Sequence, residues 1–106
     1  MSRLSLHEKL LKILPNVYYQ PSANISLKYP CIVYEHVEND NMIADDKIYV
    51  RSRMYQVTVI ETTPESGVED QILLGIPYAS FSNKFITDNL YHSVFNVYDI
   101  QPLGGN

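Results

Sequence analysis

The chain has 106 residues, of which 12 are acidic and 8 are Lys or Arg, so its formal net charge is −4. Its hydrophobic share of 45% is too high for an intrinsically disordered chain, and its length suits one domain with one core. No apolar run approaches the roughly 18 residues that a membrane-spanning helix needs, and the single cysteine, Cys31, excludes an internal disulfide. The acidic balance argues against duplex DNA as the main partner. We therefore expect a soluble domain made in a reducing cytoplasm.

The first predicted element is a helix that begins at Ser5. Ser5 and Glu8 fit the S-x-x-E capping box, in which each side chain satisfies a backbone N–H at the start of the helix. Pro15 disfavours helical geometry in the residue before it, so we expect the helix to end at residue 13 or 14. The apolar face follows the helical repeat and consists of Leu6, Leu10, Ile13 and Leu14.

Two strands and a loop are predicted next. Residues 17–20 are short and β-favouring, and residues 22–30 mix polar and apolar side chains as a loop lying against the body does. Residues 31–37 are rich in β-branched and aromatic side chains and predict a stronger strand. Residues 38–46 then break every periodicity and carry four carboxylates, which leaves open a long mobile loop or an extended hairpin tip.

The longest strand signal covers residues 47–61. Apolar residues change from one strand face to the other near Ser52–Tyr55, which predicts a bulge there, or else a strand covered on both faces. Thr62–Ser66 has a Thr cap, a proline at the first helical position and an acid in the first turn, and predicts a helix start. The helix would bury a face made of Val68, Ile72, Leu73 and Ile76.

The last predicted elements are two alternating strands, 81–87 and 91–100, joined by a hairpin turn at Asp88-Asn89 and followed by a flexible tail at 101–106. Two helices and about five strands, largely joined as hairpins, predict an α+β fold. In it, two helices pack on a mostly antiparallel sheet that carries a long β-hairpin or loop. We expect one domain over residues 1–106, with a flexible acidic loop at 38–47.

No residue set has the pattern of a catalytic or metal site. None of the three histidines, His7, His36 and His92, has a second ligand type at a metal-ligand spacing, apart from Glu35 beside His36, which points to the opposite strand face. The acids of 38–46 lack the glycine and alternate ligands of a calcium loop, and no Gly-rich phosphate loop, G-x-S-x-G or H-E-x-x-H is present. We predict no enzyme activity, no metal and no cofactor. A Cys31–histidine pair is the one nucleophile–base alternative, although Cys31 opens an apolar strand, which favours packing.

The tyrosine content and the distribution of charge along the chain point to protein–protein contacts. The chain has nine tyrosines, a residue favoured at protein–protein contacts and equally at home on sheet edges. Residues 1–30 hold four bases and one acid, whereas residues 31–46 hold five acids and no base. A head-to-tail ring can set such a basic patch against the acidic patch of the next copy.

Four stretches together resemble the tail terminator, or tail completion and head–tail joining, proteins of long-tailed, siphovirus-like bacteriophages and prophages. The resemblance runs from about Leu6 to Tyr98. It is carried by residues 18–21 (Tyr-Tyr-Gln-Pro), 28–35 (Lys-Tyr-Pro-Cys-Ile-Val-Tyr-Glu), 55–60 (Tyr-Gln-Val-Thr-Val-Ile) and 88–92 (Asp-Asn-Leu-Tyr-His).

The resemblance implies a structural virion protein with a sheet flanked by helices. Such proteins form a ring, usually a hexamer, at the head-proximal end of the tail, where they cap tube polymerisation. Their partners are further copies of themselves, the tail tube protein and the head connector or head-completion protein. DNA only passes through the lumen, and no membrane is involved. The ring is assembled in the host cytoplasm, and the family has no catalytic motif to transfer.

Two sets of residues are candidates for contacts in such an assembly. We expect the 38–47 segment to dock on the tube or on a neighbouring subunit, with a tip that has no role as the alternative. Arg51 and Arg53 share one face of the long strand and are candidates for intersubunit charge contacts, an ordinary exposed strand face being equally compatible. The docking candidates are Asn39, Asp40, Asn41, Met42, Ile43, Asp45 and Asp46.

Two other functions remain open at this point. The chain is alternatively another neck component, such as a head-completion or connector protein. Less in keeping with the sequence, it is a small cytoplasmic bacterial enzyme or ligand-binding domain that uses Cys31 and a histidine.

Overall fold

The computed structural model describes the backbone of residues 3–44 and 47–102, and the side chains of these ranges except at 38–52 and 100–102. Its two helices and five-stranded sheet confirm the predicted α+β fold. Within these ranges, no helix is long and apolar enough to cross a membrane. In chain order the elements are α1 (Arg3–Leu11), β1 (Val17–Tyr19), β2 (Cys31–Ala44), β3 (Lys47–Glu61), α2 (Val68–Gly75), β4 (Ala79–Thr87) and β5 (Leu90–Pro102).

The sheet has the strand order β1-β2-β3-β5-β4. Strands β2 and β3, and strands β4 and β5, form antiparallel hairpins, and β3 and β5 also pair antiparallel although α2 and β4 lie between them in the chain. Strand β1 runs parallel to β2, because residues 20–30 carry the chain back before β2 begins. The two edges of the sheet are therefore formed by β1, beside α1, and by β4, beside α2.

One face of the sheet holds the core. In register, Tyr34 of β2, Val57 of β3 and Phe95 of β5 form a row across this face, and all three are fully buried. Apolar residues of both helices join them, so the two helices pack on the same face, as the sequence predicts. Each such side chain stabilises the fold by about 1.5–3 kcal/mol on burial. The buried cluster is Leu6, Leu10, Ile32, Tyr34, Tyr55, Val57, Val59, Val68, Ile72, Ile76, Phe95 and Val97.

Helix α1 begins earlier than the sequence predicts. Ser5 lies inside the helix, so the capping box that we expected at Ser5 is wrong. Arg3 contacts Tyr19 and Tyr34, and these tertiary contacts hold a first turn that the local pattern cannot reveal. The helix ends at Leu11, and the Leu10 carbonyl accepts bonds from the N–H groups of the third and fourth residues beyond it, both at 3.0 Å.

Helix α2 begins later than predicted. Thr62–Ser66 is a bend, and the helix starts at Val68 with Gly67 as its N-cap. Gly67 has φ +82°, a left-handed conformation that glycine adopts without steric cost, and this breaks the helical run. The Ser66 hydroxyl then accepts a 3.3 Å bond from the Val68 N–H. Leu73, which we placed on the buried face, is 39% exposed.

The bulge predicted in β3 is on the neighbouring strand. Strand β2 has one extra residue between His36 and Glu38, opposite Met54 and Tyr55, whereas β3 pairs with β5 without a shift from Val50 to Glu61. A change of strand face can be absorbed by an extra residue in either partner, and only the pairing decides which.

The turn at Asp88-Asn89 is confirmed. Both residues have positive φ, 52° and 62°, as a two-residue type I′ hairpin turn requires. Strand β5 extends to Pro102, so the first two residues of the predicted flexible tail belong to the sheet. Residues 103–106 lie outside the described residues.

Candidate functional site

Strands β2 and β3 continue far beyond the helix-covered core as a long hairpin. The pairing runs on from Glu38 opposite Met54 to Ala44 opposite Lys47. Eight residues of β3 before Tyr55 extend the hairpin by about 25 Å at strand spacing. Strand β5 accompanies it as far as Pro102, opposite Val50. The molecule is accordingly elongated, with a longest extent of 51 Å against 30 and 23 Å.

The predicted docking segment lies on this hairpin. Its residues 39–43 belong to the backbone of β2, which matches the hairpin alternative rather than a loop. Their side chains, and the whole of Asp45 and Asp46, lie outside the described residues. The flexibility of residues 38–47 and their docking role stay predictions.

Arg53 is placed opposite a buried acid. In register it pairs with Asp99 of β5, which is 2% exposed, while Arg53 itself is half-buried. Opposite charges at facing positions of an antiparallel pair stabilise the sheet by about 0.2–1 kcal/mol. An acid of the same subunit therefore lies opposite Arg53 in register, which weakens the case for the intersubunit role that we predict for it. The side chain of Arg51 lies outside the described residues.

The Tyr34 hydroxyl links α1 to the sheet. It accepts a 3.3 Å bond from Arg3 Nη1 and lies 2.7 Å from His7 Nδ1. Because Arg3 can only donate, the hydroxyl hydrogen is available for the ring nitrogen of a neutral His7. Burial raises the pKa of Tyr34, and the Arg3 guanidinium opposes that rise. A hydroxyl that is bound on both sides and held protonated serves as a structural anchor.

Aromatic contacts extend this anchor along the sheet. The Arg3 guanidinium lies 4.5 Å from the Tyr19 ring centre, and the Tyr19 and Tyr34 rings are 4.9 Å apart. Tyr55 follows at 6.3 Å from Tyr34, and His36 lies 5.5 Å from Tyr55. Several of the tyrosines that suggested surface contacts are thus part of the core or its rim. Others are exposed, namely Tyr29, Tyr78 and Tyr98.

Cys31 is not paired with a catalytic base. The thiol is fully buried, and burial raises its pKa to about 11, so it stays protonated at neutral pH. Cys31, Ile60 and His92 occupy one row across the sheet, with β3 between the cysteine and the histidine. Two strand spacings separate them by about 10 Å, well beyond hydrogen-bonding distance.

An acidic cleft lies at the β4 edge. It encloses about 240 Å³ between the end of β3, the start of α2 and β4, which is smaller than the roughly 300–1,000 Å³ of typical small-molecule pockets. Lys84 reaches Glu69 at 3.3 Å across it. In the described ranges no three His, Cys, Asp or Glu side chains are placed to hold a metal ion. The charged lining is Glu61, Glu65, Glu69, Asp70 and Lys84.

Sequence reasoning missed this cleft. Glu65 served only as a helix-start signal, Glu69 and Asp70 were given no role, and Glu61 was counted within a strand. A signal was nevertheless present, because residues 61–88 hold five acids and one base. Only the strand order brings the end of β3 and the middle of β4 to either side of α2.

The opposite edge of the sheet is basic. Helix α1, which packs against β1, carries Arg3 and Lys9, and Lys12 follows directly after it. The backbone N–H of Lys28 donates to the Tyr18 hydroxyl of β1 at 3.3 Å. The sequence paired this basic segment with the acids of 31–46. Strand β2 lies directly beside β1, however, so those two segments are neighbours within one subunit.

Comparison with known proteins adds no assignment. No protein-family model matches the chain. No curated protein matches it significantly in sequence.

Proposed function

We propose that this protein is a structural component of a bacteriophage virion that forms a ring at the head-proximal end of the tail. There it caps polymerisation of the tail tube and joins the tail to the head connector. Four sequence stretches that resemble tail terminator proteins, spread over residues 18–92, support this role. The protein would act by binding the tail tube and the head connector and by blocking further tube polymerisation, and it would catalyse no reaction.

The observation that carries the proposal is the hairpin that projects from the core. A capping protein has to grip the end of a tube while its own body stays outside the tube lattice. The arm consists of β2 and β3, joined by β5 as far as Val50, and it extends about 25 Å past the core, so it can provide such a grip. Exposed backbone groups along a strand edge are also a general means of pairing with another chain.

The chemistry of the described residues is compatible with a structural role. The thiol of Cys31 is buried, and its raised pKa disfavours the thiolate. His92, the histidine in the same row across the sheet, is too far away for a hydrogen bond to it. The Tyr34 hydroxyl is bound by two partners. We therefore propose assembly, and not nucleophilic catalysis, as the function.

Shortening the arm tests the proposal. Residues 40–52 are replaced by Asn-Gly, so that Asn39 and Arg53, which face each other in register, flank a two-residue turn. We expect the variant to fold, because the core cluster begins at Tyr55, and to lose binding to tail tubes in a pelleting assay with purified tube protein. Tubes should also grow past their normal length when the variant replaces the wild type during assembly.

Two controls accompany this variant. Replacing Asp88-Asn89 by Asn-Gly keeps a type I′ turn at the other hairpin and should leave tube binding unchanged. Replacing three of the four acids of the arm, with Asp40→Asn, Asp45→Asn and Asp46→Asn, keeps its length and separates the effect of the carboxylates from that of length. Unchanged tube binding by the folded, shortened variant would remove the arm from the proposal.

A second assay places the protein within the neck. Affinity-tagged protein is expressed during infection, and the virion parts that copurify are imaged. Tails without heads support the tail-terminator role. Filled heads without tails would instead favour the head-completion alternative.

A further inference from the structure

We propose that the acidic cleft at the β4 edge binds the basic α1 edge of a second copy of this chain, so that subunits join head to tail. The contact stands on charge and geometry alone. Its closure into a ring rests on the proposed function. It differs from the pairing that the sequence suggested, because the acidic partner is the region around α2 and not residues 31–46.

Glu61 is the centre of the cleft side. The residue is only 8% exposed and it lines the cleft. Its carboxylate lies among the other acids of the cleft, where a cationic ligand would gain charge-assisted hydrogen bonds. The single internal cation of the cleft, Lys84, is engaged by Glu69.

The other charged residues of the cleft also favour a cationic ligand. Glu65 and Asp70 are exposed at its rim, and with Glu61 and Glu69 they leave a net negative charge against one lysine. A metal ion is a poor match, since in the described ranges no three ligand side chains converge. A flexible ammonium or guanidinium from another chain can enter a cleft of about 240 Å³ and meet Glu61.

The α1 edge supplies the complementary surface. Residues 3–30 hold four bases and one acid, Glu8, and Lys12 and Lys28 are exposed. Apolar side chains accompany the charge on both surfaces: Leu4 and Leu11 are exposed on α1, and Leu74 and Ile86 are exposed on α2 and β4. An interface of this kind combines apolar contact with charge complementarity.

The sheet order places these two surfaces at opposite ends of one molecule. Helix α1 packs at the β1 edge, and the cleft lies at the β4 edge, with three strands between them. A self-complementary dimer needs the same patch on both partners, whereas unlike patches at opposite ends give a head-to-tail contact. Repetition of that contact generates a ring if the rotation closes and a filament if it does not.

Complementary charge reversal tests the contact directly. One variant reverses the basic edge (Lys9→Glu, Lys12→Glu), and the other reverses the cleft rim (Glu65→Lys, Asp70→Lys). We expect each variant alone to lose self-association by about tenfold or more, because each then presents two surfaces of like charge. Mixed in equal amounts, they should reassemble with alternating subunits. Native mass spectrometry resolves the two masses and their order of association.

A matched control excludes a general effect of charge. Glu35→Lys with Glu38→Lys changes the net charge as much as the cleft-rim variant, but both positions lie on β2, outside the cleft and outside the basic α1 edge. Its self-association should equal that of the wild type. Circular dichroism and thermal unfolding of every variant establish that loss of association is not loss of fold.

Glu61→Gln gives an independent readout. It removes one of the clustered negative charges of the cleft while keeping the shape, so the isolated subunit should unfold at the same or a higher temperature. Self-association should weaken by about tenfold or more, and the salt dependence of the wild-type association should become shallower. A structural role for Glu61 would instead lower the unfolding temperature.

The outcomes separate this contact from the proposed function. Reversal variants that stay associated, or a mixture that stays monomeric like its components, overturn the contact. If the wild type forms rings that cap tubes and the charge-reversal variants form the same rings, the proposed function stands and the proposed contact is wrong. If reassembly of the mixture succeeds but the protein neither binds tubes nor copurifies with tails, the contact stands and the function fails.

Discussion

The two faces of the sheet are built from the same strands but bury very different side chains. On the face covered by α1 and α2, large residues such as Tyr34 and Phe95 are fully buried. On the other face, aromatic residues stay open, with Phe85 43% and Tyr98 36% exposed. The buried residues there, Cys31 among them, are smaller and lie outside the core cluster.

The difference shows that alternation alone does not set which face becomes the core. Both faces carry apolar residues, so each strand supplies two half-apolar surfaces. The helices decide between them, because Leu6, Leu10 and Ile72 pack on one face and close it from water. The face without helices keeps an apolar surface that is available to another subunit.

The largest effect should come from truncating the core face. Phe95→Ala removes a buried ring that also contacts Phe81 edge to face at 5.7 Å, and should cost about 3–5 kcal/mol of unfolding free energy. Phe85→Ala on the open face removes a ring stacked on His92 at 4.7 Å and should cost less than about 1 kcal/mol. Urea unfolding of both variants measures the contrast, and equal losses would mean that the open face is also a core.

A smaller effect should appear at alkaline pH through Cys31. Its pKa is 9.0 for a free thiol and about 11 in the fold, so the folded state holds the proton more tightly. The contribution of the protonated Cys31 thiol to the free energy of unfolding is therefore complete below pH 9. It is lost as the pH rises towards 11, which lowers the unfolding free energy by up to about 2–3 kcal/mol.

The measurement is the unfolding free energy of wild type and Cys31→Ala between pH 7 and 11. Tyrosines titrate in the same range in both proteins, so only the difference between the two curves reports on the thiol. The wild-type curve should fall more steeply above pH 9. If the two curves of unfolding free energy against pH run parallel, the Cys31 thiol is exposed to solvent in the folded state.

The smallest effect should come from the polar end of the covered face. Tyr34→Phe keeps the buried ring but removes the hydroxyl that binds Arg3 and His7, and should cost about 1 kcal/mol. Tyr78→Phe is the control, because Tyr78 is 66% exposed, and it should change stability very little. Hydrogen exchange of the α1 amides should rise in the first variant alone if the hydroxyl fastens this helix to the sheet.

Strong local signals were sufficient for most elements. The runs at 17–20, 31–37, 47–61, 81–87 and 91–100 predicted the strands, and Asp88-Asn89 predicted the turn between the last two. Helix ends were less predictable. A capping pattern at Ser5 was overridden by the contacts of Arg3, and a proline signal at Pro64 by the left-handed Gly67. Each boundary depends on a partner that lies far away in the chain, or on one backbone angle.

The sequence by itself determined the α+β class, the number of strands and the presence of a buried core, because hydrophobic periodicity and turn residues are local properties. Only the tertiary structure decided that the acidic residues around α2 lie at the β4 edge of the sheet and the basic residues of the α1 region at the β1 edge. The acids at 61–70 become a cleft because β4 and β5 return beside β3 and leave α2 at the edge. Strand order follows from the packing of the whole chain, and with it the placement of Glu61 opposite the basic end of the molecule.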